Sequence, residues 1–266
     1  MKIFRKIPNK GTRFNQLSII TFFNNKPTNL NELITYVINE IQHSKLSSLL
    51  IPFSIEKIHS TLIGLEHIRD SNHFVFNANI FQEYGLKKEM NFDKLLKIIE
   101  SYLPINIRFG GLNKSFDKFK SWGDVPYNRM FQLLCPAGDF TLLGWPYRDG
   151  TYDNTLWNLR ETIEKECNIR HKYARIKDND LFMRIGALKI DSCQLLIENS
   201  ELRSDVDKIE ENIRQYLYQN PIDIKITPND VHLVYYTQGL SSIEVLNYYP
   251  ISDDNLNSKF IKSLQC

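Results

Sequence analysis

The chain has 266 residues, which is enough for one large domain or two small ones with a substantial apolar core. Hydrophobic residues make up 42% of the sequence and charged residues 24%, as is typical of a globular protein. The formal net charge of +2 gives no bulk electrostatic basis for coating DNA or attaching to a membrane surface, so we expect neither partner.

The four cysteines have neither the spacing of a zinc site nor that of a disulfide framework. They are Cys135, Cys167, Cys193 and Cys266. The basic N-terminus, residues 1–8, is not followed by the long apolar segment of a signal peptide, and the longest apolar runs are far shorter than a membrane span. We therefore expect a cytoplasmic protein with reduced thiols, no cofactor and no bound metal.

In the first half of the chain, strand patterns alternate with amphipathic helices. Residues 16–23 are β-branched and aromatic and predict a buried strand, and apolar residues at helical spacing predict a helix at 30–43. A β-branched apolar run predicts the next strand at 57–65. The remaining predictions are an irregular region at 66–90, a helix at 92–102, a strand at 105–112 and a hairpin of 130–135 with 140–145.

The second half repeats this alternation. Periodicity predicts helices at 155–167 and 204–219 and strands at 181–188, 222–226, 231–237 and 242–251. The polar sequence that follows predicts a frayed C-terminal tail from about residue 254. No low-complexity linker divides the sequence, so we expect a single domain over residues 1–266. Its expected class is α+β (or α/β), with a two-lobed, duplicated antiparallel sheet, helices outside and a central cleft.

The strand predicted at 57–65 carries a histidine and a threonine two residues apart, His59 and Thr61. Side chains alternate along a strand, so these two project from the same face. An imidazole that exchanges protons near neutral pH then lies beside a hydroxyl donor on a rigid element. This arrangement is suited to holding and attacking a phosphate. Packing and solvation on a half-buried strand would place the same two residue types there.

The tetrapeptide His59-Ser60-Thr61-Leu62, with the order of elements around it, resembles the two-histidine (2H) phosphoesterase superfamily. That superfamily includes RNA 2′,3′-cyclic phosphodiesterases and RNA-ligase-like proteins. The similarity in element order covers most of the chain, including the strand that ends at Gly110-Gly111-Leu112 and the closing strand at 231–236. It implies two pseudo-symmetric lobes that each present a His-x-Thr/Ser motif to a cleft. Two imidazoles then serve as general base and general acid, and the hydroxyls hold the non-bridging oxygens without a metal.

The chain offers two places for the second motif. His232 lies in a strand pattern, but the residue two positions on is Val234, which has no hydroxyl. By element order the second motif falls at 181–188, where Phe182 takes the place of the histidine and Arg184 that of the Thr/Ser. In the first case the two histidines form the working pair. In the second case a one-histidine relative binds a nucleotide or phosphate, or uses other chemistry. A third alternative is an unrelated α+β domain.

Further candidate ligand contacts are Arg108 and Arg184 for phosphate and Tyr235 for stacking on a base. For these residues the alternatives are a solvated strand edge and packing in the core. We predict a protein that hydrolyses or binds a (cyclic) phosphodiester of a nucleotide or an RNA end. The residues predicted to be catalytic are His59, Thr61 and His232. The alternative function is a catalytically silent relative that binds a nucleotide-like ligand or a protein partner in the same cleft.

Overall fold

An antiparallel β-sheet organises the part of the chain that the computed structural model describes, which is residues 16–134, 137–189, 194, 196, 198–236, 245–253 and 255–265. The basic N-terminus, Cys135, Cys193, Cys266 and parts of the last two predicted strands lie outside the described residues. The described part is a mixed α+β structure, which confirms the expected class at that level.

The sheet takes its strands from the whole length of the described chain. They are β1 (Gln16–Thr21), β2 (Leu50–Pro52), β3 (Ser60–Gly64), β6 (Ile105–Phe109), β7 (Phe131–Leu134), β8 (Asp139–Arg148), β9 (Thr151–Tyr152), β10 (Leu181–Leu188), β11 (Ile222–Ile226), β12 (Val231–Tyr236) and β13 (Val245–Pro250). Their order across the sheet is β11-β6-β8-β10-β3-β1-β12-β13, with β2 beside β10 and with β7 and β9 beside β8. A separate hairpin joins β4 (His67–Arg69) to β5 (Val75–Asn77).

Helices pack around this sheet, and the four longest of those described have the apolar periodicity that the sequence predicts. They are α1 (Thr28–Gln42), α2 (Ala78–Tyr84), α3 (Phe92–Tyr102), α4 (Pro126–Met130), α5 (Thr155–Cys167), α6 (Ser200–Gln219) and α7 (Ser258–Leu264). Asn91 and Asn199 cap α3 and α6 by accepting hydrogen bonds from backbone N–H groups of the first turn. Among the described residues, no helix has both the length and the apolar composition needed to cross a membrane.

Several predicted elements have the bounds that the periodicity indicates, among them α3, α5, β10 and β11. Other predictions differ from the structure. The region expected to be irregular at 66–90 contains the β4–β5 hairpin and α2, and α6 begins four residues before the helix predicted at 204–219. The strand expected at 57–65 begins only at Ser60, because residues 55–57 form a 3₁₀ turn, so His59 lies just before the strand. The expected frayed tail instead contains α7, whose Ile261 is fully buried in the core. The segment is mostly polar and the helix is short, so its apolar spacing and its N-cap, Asn257, are hard to recognise in the sequence.

The faces of the central strands differ in character because side chains alternate along each strand. Leu17 and Ile19 of β1 belong to the main core, whereas Ile20 points to the other face with Val234 and Tyr236 of β12. The neighbouring strands β3 and β10 meet at the residue pair Ser60 and Met183, both fully buried. The residues on either side of that pair therefore point away from the core, toward the same face as Ile20.

Gly110 is held at the end of β6 by a close approach of two backbone segments. Its φ is +84°, and a Cβ atom there would lie 2.2 Å from the carbonyl oxygen of Leu217 in α6. We expect Gly110→Ala to lower the free energy of unfolding by about 3 kcal/mol or more, since the left-handed φ and the clash both oppose a side chain. Urea unfolding of the purified variant measures this loss.

Gly85→Ala is the matched control. Gly85 also has a positive φ, +68°, but no described atom lies within 4 Å of a Cβ built on it. The expected loss there is only about 1–2 kcal/mol, the cost of the left-handed conformation itself. Equal losses for the two variants would show that the contact with Leu217 is unimportant.

Candidate functional site

A pocket of about 370 Å³ lies where β3 and β10 run side by side. The antiparallel register sets His59 beside Arg184 and Thr61 beside Phe182, one residue either side of the buried pair that joins the strands. All four residues line the pocket. The structure therefore brings together the His-x-Thr tripeptide and the alternative second motif that the sequence offers on β10.

His59 is oriented by the backbone of the turn before β3. Its Nδ1 lies 2.6 Å from the carbonyl oxygen of Lys57, and a carbonyl can only accept, so Nδ1 carries the hydrogen. Nε2 is then an acceptor, and it has no hydrogen-bond partner among the described residues. Burial lowers the pKa of His59 to about 4, against the effect of the Lys57 hydrogen bond, and the nearby Lys26 and Arg184 lower it further. His59 is thus neutral at pH 7, with the Nε2 lone pair available.

The wall around His59 supplies donors and positive charge. The Thr61 hydroxyl has no hydrogen-bond partner in the described part of the chain. The Arg184 guanidinium is anchored by an ion pair with Asp139. Lys57 and Lys172 add two cations to the lining, whereas Glu66 adds one carboxylate. Outside the buried ion pairs, the described lining is therefore net positive and suits an anion.

Arg160 of α5, which also lines the pocket, connects β3 to the segment that leads into β10. Its side chain is only 2% exposed. It donates to the carbonyl oxygens of Leu62 (3.1 Å) and Thr61 (3.3 Å) in β3, and to those of Asp178 (2.8 Å) and Asp180 (3.2 Å) just before β10. It also pairs with the Asp178 carboxylate at 3.2 Å. One guanidinium therefore fixes the spacing of the two segments that line the pocket.

The neighbouring carboxylate, Asp180, is also enclosed by donors. It accepts hydrogen bonds from Trp145 Nε1 (2.6 Å), Ser121 Oγ (2.7 Å) and Arg129 Nη2 (2.8 Å). Burial raises the pKa of Asp180, as does the negative charge of Asp178, while Arg129 opposes both. The loop that contains Ser121 is thereby attached to the segment that enters β10.

A second histidine, His171, lines the same pocket. It lies in the loop after α5, is 4% exposed, and its Nε2 is 2.9 Å from Oδ2 of Asp178. Its Nδ1 is buried and has no partner within the described ranges. Burial lowers the pKa of His171 to about 4, and the charge of Arg160 acts in the same direction. The pocket therefore contains two imidazoles that are neutral at pH 7.

The structure does not bring His232 into this pocket. His232 lies on β12 opposite Ile20 of β1, and it is not among the lining residues. A chain of ring contacts through Phe23 and Tyr248 connects the two imidazoles, with centroid separations of 6.1 Å from His59 to Phe23, 5.7 Å from Phe23 to Tyr248 and 5.7 Å from Tyr248 to His232. The two histidines share a face of the sheet but not a cavity.

Arg108 also lies away from the His59 pocket. Its guanidinium forms two hydrogen bonds with the Asp223 carboxylate, 2.7 and 2.5 Å long, and lies 3.6 Å from the ring centroid of Tyr147. It lines a different pocket, of about 280 Å³. The ion pair with Asp223 already occupies the guanidinium edge that a phosphate would use.

Tyr235, the predicted base-stacking residue, packs against the main core. Its neighbour Tyr236 points the other way and lines the pocket, with its hydroxyl 3.2 Å from Ser18 Oγ. Trp122, Tyr173 and Phe182 complete an aromatic wall. The aromatic residues available for stacking are therefore Tyr236, the neighbour of the predicted residue, and three residues from other segments.

Sequence reasoning missed Arg160 and His171, and the two aspartates near them, Asp178 and Asp180. One usable signal was the pair of acidic residues, Asp178 and Asp180, directly before a strongly apolar strand. Carboxylates so close to a buried strand need cations or other donors nearby. The position of His171 has no such local signal, because its partner Asp178 reaches it only through the fold.

No family model matches the chain, and no curated protein matches it. Among the solved structures that match is the crystal structure of a conserved protein of unknown function from Agrobacterium tumefaciens. The two chains are 11% identical, the match covers 89% of this chain and 90% of that one, and the TM-score is 0.44.

The buried role of Arg160 predicts a large loss of stability on its removal. Arg160→Met leaves the Asp178 carboxylate without its guanidinium, and we expect the free energy of unfolding to fall by about 3–5 kcal/mol. Lys165→Met, which removes an exposed cation paired with Glu161 on the same helix, is the control and should change stability by less than about 0.5 kcal/mol. Similar denaturation midpoints for the two variants would contradict the role given to Arg160.

The two pocket histidines predict how stability depends on pH. Their pKa in the folded protein is about 4, below the ordinary value of 6.5, so the unfolded chain binds more protons between these values. The stabilisation is complete above pH 6.5 and decreases as the pH falls toward 4, by at most about 1.4 kcal/mol per pH unit for each histidine. Urea unfolding at a series of pH values should show a shallower decrease in His171→Gln, which has one fewer titrating group. An unchanged slope would mean that folding does not lower the pKa of His171.

Proposed function

We propose that this pocket binds the phosphate of a nucleotide or an RNA end as a (cyclic) phosphodiester. The observation that carries the proposal is the register of β3 against β10, which gathers the His59 imidazole, the Thr61 hydroxyl and the Arg184 guanidinium at one pocket. A hydroxyl and a guanidinium are donors that suit non-bridging phosphate oxygens. The net positive charge of the lining also favours an anionic ligand such as a phosphate.

The chemistry of each group follows from its environment. Thr61 and Arg184 would donate to the phosphate oxygens, and the neutral His59 would accept a proton or a hydrogen bond at Nε2 from a neighbouring hydroxyl or water. Tyr236 and Trp122 offer aromatic surface to a base at the same pocket.

The same register supports the likeness to the 2H phosphoesterase fold. The middle residues of the tripeptides 59–61 and 182–184 pair with each other, as the equivalent positions of a duplicated motif would. In that comparison Phe182 takes the place of the second histidine and Arg184 that of the second hydroxyl. This favours a one-histidine relative over a working pair of His59 and His232, and it makes ligand binding the primary proposal.

Hydrolysis of the bound diester is the second candidate function. It is favoured by the Nε2 lone pair of His59, which general base catalysis requires. The assay uses a 2′,3′-cyclic nucleotide with a chelator present, since the proposed chemistry needs no metal. Hydrolysis that is unchanged in His59→Ala would exclude His59 as the base.

Thr61→Val tests the binding proposal directly. Valine keeps the shape of the side chain and removes the hydroxyl, so one hydrogen bond to a charged oxygen is lost. We expect the Kd for a 2′,3′-cyclic nucleotide, measured by titration calorimetry, to rise about tenfold or more.

His232→Gln is the matched control, because His232 is a histidine on the same face of the sheet but outside the pocket. Its affinity for the cyclic nucleotide should equal that of the wild type. Failure of the wild type to bind the probe, or equal affinities of wild type and Thr61→Val, would overturn the proposal. A loss in His232→Gln like that in Thr61→Val would place the ligand elsewhere.

A further inference from the structure

His171 contributes an imidazole to the His59 pocket from an unexpected part of the chain. It comes from the loop after α5, not from β10, where a duplicated motif would put a second histidine. Both histidines line one cavity of about 370 Å³, which lies within the usual size range of a small-ligand site.

The partner of His171 fixes which nitrogen carries the hydrogen. Burial alone would raise the pKa of Asp178, but Arg160 and the hydrogen bond from His171 hold it well below the usual range of a carboxyl. An ionised carboxylate only accepts hydrogen bonds, so His171 donates from Nε2 at 2.9 Å. Nδ1 is left with a lone pair, buried and without a partner in the described residues. An unpaired buried acceptor is unfavourable, so this atom is suited to a donor that arrives with the ligand.

The charged groups near His171 keep it an acceptor. These are Asp178 at Nε2, the guanidinium of Arg160 and the ammonium of Lys172. The ring of Tyr173 packs edge-on, with a centroid separation of 5.6 Å. Burial, with the charges of Arg160 and Lys172, outweighs the effect of Asp178 and lowers the pKa of His171, so the lone pair persists at neutral pH.

The groups that line the pocket therefore suit a ligand that combines two properties. Its hydroxyl and cations favour a phosphate, whereas the acceptor nitrogens of His59 and His171 favour a hydrogen-bond donor. An ionised phosphate diester has no donor of its own. A ribonucleotide has both a phosphate and ribose hydroxyls, and the hydroxyl next to a 3′-phosphate is carried by the carbon bonded directly to the phosphorylated one.

We propose that His171 is a ligand-binding residue whose Nδ1 accepts a hydrogen bond from the ribose hydroxyl beside the phosphate held by Thr61 and Arg184. This inference rests on the proposed function and narrows its ligand class to ribonucleotides with a free hydroxyl beside the phosphate, in preference to both deoxyribonucleotides and 2′,3′-cyclic phosphates, in which that oxygen is esterified. Asp178 acts through His171 as a positioning residue, because it fixes the tautomer that leaves Nδ1 free to accept.

A cycle of two ligands and two proteins tests the inference. The ligands are a ribonucleoside 3′-monophosphate and its 2′-deoxy counterpart, and the proteins are wild type and His171→Gln. Glutamine keeps an amide N–H where Nε2 donates to Asp178 but has no acceptor at the position of Nδ1. Wild type should bind the ribonucleotide about tenfold more tightly than the deoxy ligand, and the preference should vanish in the variant.

A purely structural role for His171 would weaken both ligands equally and leave the preference intact, which would overturn the inference. So would a wild type that binds both ligands equally. If neither ligand nor the cyclic nucleotide of the Thr61→Val test binds the wild type, the proposed function fails as well. If binding depends on Thr61 but the preference survives in His171→Gln, only this inference fails.

Nitrogen-15 NMR of the wild-type chain gives a second readout that does not depend on folding of a variant. The Nδ1 resonance of His171 should move toward the hydrogen-bonded position with the ribonucleotide and stay in place with the deoxy ligand. Equal movement with both ligands would assign the contact to the phosphate or the base.

Discussion

The hydrogen bonds of Arg160 are the interaction on which the pocket depends most. In the described register β3 and β10 share one residue pair, so sheet hydrogen bonding alone gives them little common ladder. Arg160 donates to backbone carbonyls of β3 and of the residues that enter β10, and so supplies the link that a longer ladder would otherwise provide. The positions of His59, Thr61, Phe182 and Arg184 relative to each other follow from that link.

Buried charge is an expensive way to hold two strands, because each ion loses its hydration. Here Arg160 is matched with Asp178, and Arg129 with Asp180, and further donors complete each carboxylate. Well-packed apolar residues could provide similar stability. Apolar residues could not, however, line the pocket with polar groups or set the tautomer of a histidine, as Asp178 does for His171. The network is therefore better understood as a device for shaping the pocket than as a source of stability.

Local patterns were enough to predict α3, α5 and β10, because each carries a clear apolar period between turn residues. That His59 and Thr61 face one pocket was also predictable, since residues two apart in extended backbone project to the same side, although the strand itself begins only at Ser60. His232 shows the limit of that reasoning: alternation gives the face of the sheet, but not which residues on that face line the same cavity. Arg160 acquires its role through contacts with a strand almost a hundred residues away, and His171 through a loop contact with Asp178, and no periodicity encodes either.

The neighbours of β1 in the sheet have a consequence for how the protein is made. β1 lies between β3, its near neighbour in sequence, and β12, with Gln16 opposite Tyr236. Ser18 and Tyr236, which meet across this pair, both line the pocket. During synthesis, the edge of β1 that pairs with β12 therefore stays unpaired until β12 has emerged. The pocket is thus among the last features to be completed. Until then, a strand that later lies deep within the sheet is an exposed edge, and a chaperone that shields it would act at that stage.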